Sequence, residues 1–343
     1  DTVVLSCAYR LVAPRVFEPV QLNIPVSNEV LVRPTFLSIC NADIRYYQGT
    51  RSAAVLAKKL PMALIHEAVG VVVRDPSGTY SPGDKVALVP NAPCSQDDCI
   101  AENYLRTSKF CGSGYDGFMQ ELVSLPVERV VGLPPQLRDE VAAFTELVSV
   151  AMHAVDRFDS IAHARKEHIG VWGDGNLGFI VSLILKTRYP NAQICVFGRN
   201  EYKLNDFTFA DETRLTCDAP KECVFDHAFE CCGGEGSAAA IDQIIDTVKP
   251  EATVSLLGVS ENPILMNTRM VLEKGLRLFG SSRSGRADFL AVAEMYRQHP
   301  EMPKYLESLV GGVFEVESVA DMVTAFEADL RKSSGKTVMK WNI

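Results

Sequence analysis

Residues His168–Gly178 read HIGVWGDGNLG, an apolar run that leads directly into the glycine pattern G-x-G-x-x-G. Each glycine has its own physical role: Gly173 permits a tight turn, Gly175 lets the backbone approach a pyrophosphate, and Gly178 lets a helix pack closely on the strand. The free N–H groups at the start of that helix favour phosphate binding. The segment therefore predicts a strand, a turn and a helix that bind a dinucleotide. The predicted cofactor-binding residues of this turn are Gly173, Gly175, Asn176, Leu177 and Gly178.

Strand and helix patterns alternate after this turn. A helix pattern fills Asn176–Arg188, and the short apolar runs around it are typical of buried strands. Alternating strands and helices predict a doubly wound parallel sheet covered by helices on both faces. A longer helix pattern without Gly or Pro, over Asp139–Phe158, precedes the first strand. The predicted strands are His168–Trp172, Gln193–Phe197, Phe225–Glu230, Ala252–Leu257 and Leu276–Gly280.

The N-terminal part has a different pattern, in which short strands are separated by Gly and Pro. Runs at Glu29–Pro34, Val69–Arg74 and Lys85–Val89 are examples, and Ser81–Asp84 is typical of a turn between strands. Many short strands predict a barrel-like β-domain. A last strand is predicted at Thr337–Trp341. We therefore predict an α/β protein with two domains, residues 1–147 with 285–343 and residues 148–284.

The end of the second strand of the alternating region indicates which dinucleotide is bound. NAD enzymes usually carry an acid there, about 20 residues past the glycine pattern, which binds the ribose 2′-hydroxyl. The corresponding residue is Gly198, followed by Arg199 and, one helical turn later, by Lys203. Glycine removes the repulsion that an acid would exert on a 2′-phosphate, and arginine binds phosphate through two hydrogen bonds. The sequence therefore predicts NADPH, with Arg199 and Lys203 as ligands, although these cations would also suit a solvated turn.

The composition argues against several other classes of protein. The chain has 343 residues, with 34 Lys and Arg against 43 Asp and Glu, a formal net charge of −9. This balance disfavours binding to nucleic acid or to an anionic membrane, and no apolar run reaches the roughly 18 residues of a membrane span. Ten cysteines without a disulfide-like spacing, and no signal-peptide pattern, lead us to expect a cytoplasmic protein.

Cys, His and Glu side chains in separate segments offer ligands for a metal ion. Cys40 follows an apolar run, His66 and Glu67 are adjacent, and Glu146 lies in the predicted long helix. Zinc accepts such ligands, and three protein ligands leave a position open for substrate. The spacing alone does not decide whether these residues bind a metal, because Cys40 would also suit a protein core and His66 would also suit a half-buried hydrogen-bonding site.

Several motifs, in order along the chain, resemble those of zinc-dependent medium-chain alcohol and polyol dehydrogenases. The resemblance covers nearly the whole chain and implies a GroES-like β-barrel catalytic domain plus a Rossmann NADP-binding domain. The segments that carry it are Ser38–Gly49, Ile65–Glu67 (IHE for the family's GHE), Ser81–Val86, Glu146–Ala154 and Val254–Gly258.

The same resemblance implies roles for the residues of the metal site. One catalytic zinc is expected on Cys40, His66 and Glu146, where it would act as a Lewis acid on a carbonyl oxygen. Glu146 is expected to complete the zinc sphere directly or through water, and it is also a candidate for contact with the substrate. Glu67 is expected either as a fourth ligand that exchanges with substrate or as a base. Asp43 is expected beside the ligands, where it positions them or a water.

Two features depart from the family pattern. Many relatives hold a second, structural zinc on four closely spaced cysteines, whereas this region has only Cys94, Cys99 and Cys111. A closed tetrahedral site normally needs four ligands, so we expect no structural zinc. The second departure is Ala42, where relatives often carry a hydroxyl that relays a proton. The proton is then expected to pass through water, Glu67 or a tyrosine.

Longer runs resemble a narrower group, the ribulose-5-phosphate reductases of teichoic acid and capsule synthesis. Among them are LPMALIHEAVG (Leu60–Gly70) and LEKGLRLFGSSRSG (Leu272–Gly285). This resemblance implies reduction of D-ribulose 5-phosphate to D-ribitol 5-phosphate with NADPH, upstream of CDP-ribitol. A sugar phosphate needs cations near the metal, and we expect Arg45 to bind the phosphate. The weaker candidates are Arg51, Lys58, Lys59, Arg283 and Lys336.

Other functions and partners follow from the same features. A polyol dehydrogenase for an unphosphorylated substrate such as sorbitol, xylitol or threonine is the main alternative, and Gly198 argues against its NAD-linked forms. A zinc-free quinone or enoyl reductase, or a non-catalytic NADPH-binding relative, would lack the metal residues. We expect a homodimer, because Leu276–Phe279 reads as an apolar strand near the end of the sheet. A cytidylyltransferase of the same pathway is a second candidate partner.

Overall fold

Backbone contacts divide the chain into two compact units. The computed structural model describes residues 2–343. Unit 1 comprises the chain up to Ser149 together with Ser284–Ile343, and unit 2 comprises Val150–Arg283. Each unit has its own core of buried apolar side chains, so the two are described separately.

The described residues form eighteen strands, most of them short. In chain order they are β1 (Val3–Ala13), β2 (Val16–Pro25), β3 (Val30–Ser38), β4 (Met62–Ala63), β5 (Glu67–Arg74), β6 (Lys85–Leu88), β7 (Asn91–Ala92), β8 (Lys109–Phe110), β9 (Val123–Leu125), β10 (Val130–Gly132), β11 (His168–Trp172), β12 (Gln193–Gly198), β13 (Glu212–Leu215), β14 (His227–Glu230), β15 (Thr253–Leu256), β16 (Arg277–Gly280), β17 (Val310–Val316) and β18 (Lys336–Trp341).

The same residues form eleven α-helices, and none of these is long and apolar enough to cross a lipid bilayer. In chain order they are α1 (Asn41–Gln48), α2 (Ala53–Lys59), α3 (Asp139–Ala142), α4 (Thr145–Ile161), α5 (Asn176–Arg188), α6 (Glu201–Leu204), α7 (Gly236–Thr247), α8 (Thr268–Lys274), α9 (Arg286–Gln298), α10 (Met302–Leu306) and α11 (Val319–Arg331).

Unit 2 is built on a six-stranded sheet in which every pair of neighbouring strands is parallel. The strand order is β13-β12-β11-β14-β15-β16, the 3-2-1-4-5-6 order of doubly wound dinucleotide-binding sheets. The order reverses between β11 and β14, and ligands bind beyond the carboxyl ends of strands at such a point. The predicted parallel sheet is confirmed, and β16 lies at its edge as expected.

Unit 1 contains the short strands predicted for the β-domain. A seven-stranded sheet has the order β10-β6-β5-β3-β18-β17, with β9 paired to β3. Its pairs are antiparallel except for β17 with β18. A three-stranded sheet, β2-β1-β4, and the pair β7-β8 complete the β-structure of this unit.

The helix predicted over Asp139–Phe158 is two helices, so the prediction of one continuous helix is wrong. α3 ends at Ala142 and α4 begins at Thr145. The hydroxyl of Thr145 donates to the carbonyl oxygen of Ala142 at 2.8 Å. A side chain thus uses the acceptor that an unbroken helix would offer to the backbone N–H of Glu146. As a result, Glu146 lies in the first turn of α4 rather than in the middle of a helix.

Candidate active site

One end of the seven-stranded sheet brings the predicted metal-binding residues together. Strands β3 and β5 pair with Ser38 opposite Glu67, so Cys40, just beyond β3, comes close to His66, just before β5. The ligand atoms of Cys40, His66 and Glu67 all lie within 4.8 Å of one another. The pairing of these strands therefore brings together residues whose spacing in the sequence did not show whether they form a metal site.

Asp43 holds the backbone of both ligand-bearing segments. It is buried in α1, and its carboxylate accepts hydrogen bonds from the backbone N–H of Cys40 and of Ile65, each at 3.0 Å. Burial raises the pKa of Asp43, although the neighbouring His66 and these two donors oppose the rise. Because each oxygen accepts one backbone N–H, the geometry supports a positioning role for Asp43 rather than a place among the metal ligands.

Ile65, directly before His66, has an unusual backbone conformation. Its φ of 76° lies in the left-handed region that β-branched residues rarely adopt. Its N–H bonds to Asp43, and its carbonyl oxygen accepts the N–H of Phe118 at 2.8 Å. Hydrogen bonds on both sides therefore hold the residue that orients His66. A glycine, as in the GHE motif, would adopt this conformation without a Cβ penalty.

A buried lysine pairs with Glu67. The Nζ atom of Lys336 lies 2.9 Å from Oε2 of Glu67 and also donates to the carbonyl oxygen of Ile39 at 2.8 Å. The other carboxylate oxygen of Glu67, Oε1, is buried without a hydrogen-bond partner among residues 2–343. Lys336 was a weak candidate for phosphate binding from the sequence, whereas the structure places it in this buried ion pair.

Glu146 joins the cluster from α4. Its Oε2 atom lies 3.7 Å from Nε2 of His66, and burial raises the pKa of Glu146 to about 8. Burial lowers the pKa of His66, but the carboxylates of Glu146, Asp43 and Glu67 outweigh it, so the pKa rises. Burial, reinforced by Glu67, raises the pKa of the Cys40 thiol to about 12.

These groups fit a divalent metal ion. A thiol, an imidazole and two carboxyl groups, from Cys40, His66, Glu67 and Glu146, are the ligand types that zinc prefers. With the thiol ionised, the acidic groups of the cluster outnumber the one ammonium group, that of Lys336, which pairs with Glu67, and a dication would offset the excess negative charge. The unpartnered Oε1 of Glu67 is the kind of buried atom that a metal or its water satisfies.

The remaining candidates of unit 1 lie on or beside the same elements. Ala42 and Arg45 are half-buried in α1, which begins directly after Cys40. Cys94 and Cys99 are exposed and Cys111 is half-buried, and the expectation that they hold no structural zinc stays a prediction.

The glycine turn of unit 2 lines a cavity of about 530 Å³ that also contains Arg199 and Lys203. Gly173 has a φ of 137°, and a Cβ there would lie 2.8 Å from the carbonyl oxygen of Cys231. A Cβ on Gly178 would lie 2.1 Å from the carbonyl oxygen of Gly173, whereas one on Gly175 would meet nothing within 4 Å. The first and third glycines thus allow close backbone packing, and the second faces open space in which a ligand fits.

The N-terminus of α5 opens at the same cavity. The helix begins at Asn176, with Gly175 as its N-cap and Leu177 as its second residue. Its thirteen residues make it long enough to present free N–H groups and a positive dipole end to phosphates.

An acidic residue does lie near the end of β12, but it comes from the glycine turn. Oδ2 of Asp174 accepts hydrogen bonds from the backbone N–H of Arg199 and of Asn200, each at 2.9 Å. A Cβ on Gly198 would lie 2.6 Å from Cβ of Asp174. Glycine at 198 is therefore needed to make room for Asp174, which holds the backbone that carries the exposed Arg199. The sequence-based explanation from charge alone is incomplete.

A doubly wound dinucleotide-binding sheet, together with a Cys-His-Glu cluster on a separate β-unit, is typical of metal-dependent alcohol dehydrogenases. Residues 26–135 match the alcohol dehydrogenase GroES-like domain.

Whole-chain comparisons agree with this class. A ribulose-5-phosphate reductase from Bacillus spizizenii is 53% identical, covering 99% of this chain and 100% of that protein. Ribulose-5-phosphate reductase 1 from Staphylococcus aureus is 50% identical, over 98% of this chain and 99% of that protein. The crystal structure of S. aureus TarJ in complex with NADPH is similar, with a TM-score of 0.88 and 45% identity. The match covers 99% of this chain and 100% of that chain. The chain therefore belongs to the medium-chain alcohol dehydrogenase family, in the group that includes these reductases.

Proposed function

We propose that this protein reduces D-ribulose 5-phosphate to D-ribitol 5-phosphate with NADPH at a catalytic zinc. The observation that carries the proposal is full-length identity of 53% to a ribulose-5-phosphate reductase. The ligand atoms of Cys40, His66 and Glu67 in this chain also lie close enough together to serve as metal ligands. The product would supply CDP-ribitol for teichoic acid or capsule polymers. The alternatives are an unphosphorylated polyol substrate and zinc-free reduction.

Cys40, His66 and Glu146 are the proposed zinc ligands, and Glu67 is the proposed exchangeable fourth ligand. Bound zinc supplies Lewis acidity at the substrate carbonyl, and NADPH supplies the hydride. Asp43 keeps the backbone at Cys40 and Ile65 in place, and Lys336 holds Oε2 of Glu67.

The proton that completes the reduction needs a route of its own. Ala42 has no hydroxyl group, so a direct relay through that position is absent. Oε1 of Glu67 is buried without a hydrogen-bond partner in the described part of the chain, which suits it to exchange a proton with a water or with the product. We assign the proton route to Glu67 and water.

NADPH is proposed to bind along the cavity of unit 2. The N-terminus of α5 and the backbone at Gly175 would hold the pyrophosphate. Arg199 and Lys203, which line the same cavity, would bind the 2′-phosphate, since arginine favours phosphate through two hydrogen bonds. Asp174 would act by holding the backbone on which Arg199 stands.

Assembly and location belong to the same proposal. The edge position of β16 suits pairing with a second copy of the chain, so we propose a homodimer. A cytidylyltransferase that consumes the product is the proposed functional partner. Ten free cysteines suit a reducing compartment, and we place the reaction in the cytoplasm.

A substrate screen tests the proposal. The purified protein is supplied with NADPH or NADH and with D-ribulose 5-phosphate, other keto-sugar phosphates, sorbitol, xylitol or threonine, and products are identified by NMR. We expect D-ribitol 5-phosphate from ribulose 5-phosphate, faster with NADPH than with NADH, and loss of turnover after chelation. A polyol as the preferred substrate, or full turnover without zinc, would support one of the alternatives instead.

A further inference from the structure

A cationic cluster surrounds Tyr46 on α1, and the mechanism above does not use it. The guanidinium carbon of Arg51 lies 4.9 Å, and Nζ of Lys59 lies 5.8 Å, from the centroid of the Tyr46 ring. Nζ of Lys59 also donates to the hydroxyl of Ser113 at 2.7 Å. We call Tyr46, Arg51, Lys59 and Ser113 the Tyr46 cluster.

The Tyr46 cluster contains donors without partners. Tyr46 is 2% exposed, and both its hydroxyl and Nε of Arg51 are buried with no hydrogen-bond partner in residues 2–343. Arg51 contacts the Tyr46 ring, and Lys59 contacts both that ring and the hydroxyl of Ser113. Within residues 2–343, neither cation forms an ion pair with a carboxylate. Unsatisfied buried donors are costly, and two cations beside one ring repel each other. The cluster is therefore complementary to an anion.

The cluster is built on the segments that carry the metal-site residues. Tyr46 lies six residues after Cys40, and a rise of 1.5 Å per residue puts it about 9 Å along the helix from Cys40. Lys59 lies at the end of α2, on the segment that leads to His66. Ser113 follows Gly112, whose added Cβ would lie 3.4 Å from the carbonyl carbon of Ile65. An extended five-carbon sugar phosphate spans a comparable distance.

We propose that the Tyr46 cluster is the subsite for the phosphate group of the sugar substrate, an inference that rests on the proposed reduction of a keto-sugar phosphate. A phosphate dianion accepts charge-assisted hydrogen bonds from the guanidinium of Arg51 and the ammonium of Lys59, and further ones from the hydroxyls of Tyr46 and Ser113. Arg45, the candidate from the sequence, stays a separate prediction that the same assay tests.

The test compares two substrates that differ only in the phosphate. Arg51→Ala, Lys59→Ala and Tyr46→Phe are assayed for kcat/KM with NADPH on D-ribulose 5-phosphate and on D-ribulose. We expect the two cationic variants to lose roughly 10- to 100-fold on the phosphate ester and less than about threefold on the free sugar. Tyr46→Phe should lose less, and Arg51→Lys should recover part of the Arg51→Ala loss.

Lys304→Ala is the control. Lys304 is an exposed lysine on α10 of the same unit, so its loss removes the same charge outside the Tyr46 cluster and should leave both substrates unaffected. NADPH affinity and thermal unfolding confirm that each variant is folded. An equal loss on both substrates, or no loss on either, would overturn the subsite while leaving the proposed function intact.

Direct binding provides a second readout. Inorganic phosphate should inhibit the wild-type enzyme competitively against ribulose 5-phosphate and should bind in calorimetry, and Arg51→Ala and Lys59→Ala should weaken both effects about 10-fold or more. Unchanged phosphate affinity in both variants would contradict the assignment. If the wild type reduced no keto-sugar phosphate at all, the proposed function would fail, and the phosphate titration would still decide the subsite.

Discussion

Lys336 and Glu67 form a buried ion pair, with 2.9 Å between Nζ and Oε2 and with both residues at most 3% exposed. Removing one partner of such a pair leaves an uncompensated buried charge. We therefore expect Lys336→Met to lower the free energy of unfolding by about 3–5 kcal/mol, as measured by urea denaturation. Adding Glu67→Gln to the same chain should recover part of the loss.

Lys340 provides the matched control for this prediction. It lies on the same strand, β18, and pairs with Glu315, but the side chain of Lys340 is 45% exposed and that of Glu315 is 68% exposed. Exposed pairs contribute about 0–1 kcal/mol, so Lys340→Met should change stability little. Equal effects of the two substitutions would contradict the role assigned to the buried pair.

The metal content should be one zinc per chain, held at Cys40. We expect Cys40→Ser to lose zinc and turnover but to keep NADPH affinity, because the dinucleotide cavity is lined by residues of unit 2 alone. Elemental analysis and a fluorescence titration with NADPH measure the two quantities. Cys99→Ser is the control, since Cys99 is exposed and should bind no metal. Two zincs in the wild type, with one lost in Cys99→Ser, would refute the expected absence of a structural zinc.

Gly175 and Gly178 should respond differently to the same substitution. A Cβ on Gly175 meets no protein atom within 4 Å and its φ of −84° suits alanine, so Gly175→Ala should fold normally and bind NADPH weakly. A Cβ on Gly178 would lie 2.1 Å from a backbone oxygen, and Gly178→Ala should lose about 1–3 kcal/mol of stability. Thermal unfolding and NADPH titration separate the two effects. Stability losses of equal size would contradict this assignment.

His227 should make the stability of the protein depend on pH. It is fully buried, Nδ1 accepts the N–H of Thr253 at 3.0 Å, and Nε2 lies 3.2 Å from the carbonyl oxygen of His163. Burial, with smaller contributions from His163 and Lys166, lowers the pKa of His227 to about 4, from an ordinary 6.5. Between these values the unfolded chain binds the additional proton, so stability is full above pH 6.5 and falls as the pH drops towards 4.

Replacing His227 should remove that part of the pH dependence. His227→Asn should lower stability at neutral pH but flatten its slope between pH 6.5 and 4, as measured by denaturation at a series of pH values. His299→Asn is the control, because the side chain of His299 is 39% exposed and lies outside the buried contacts of His227, so its loss should leave the slope unchanged. An unaltered slope in His227→Asn would show that another group is responsible.

The dinucleotide-binding unit could be predicted from the sequence because its signals are local. The strand at His168–Trp172 and the helix at Asn176–Arg188 have the predicted bounds, since a glycine turn and a change of hydrophobic period mark both. The break before Thr145 was missed because it depends on one hydroxyl hydrogen bond. The spacing of apolar residues along the sequence does not depend on such a bond and so cannot indicate it.

The metal site could be predicted only in part. The resemblance to zinc-dependent dehydrogenases indicated Cys40 and His66. Their closeness in space, however, depends on the pairing of β3 with β5. Lys336 is 269 residues from Glu67 in the sequence, and no local pattern marks a contact so distant. The role of Asp174 was likewise missed, because its side chain reaches the backbone of residues 25 and 26 positions further on.

The ratio of kcat/KM for D-ribulose 5-phosphate to that for D-ribulose, measured with NADPH and the zinc-loaded enzyme, tests the central claim most directly. Binding energy from the phosphate should help to place the carbonyl for reduction, so its loss lowers the rate of chemistry as well as affinity. If two charge-assisted contacts are lost with the phosphate, the ratio should be about 10² or larger. A ratio near one would contradict a sugar-phosphate reductase, although a zinc-dependent dehydrogenase would remain.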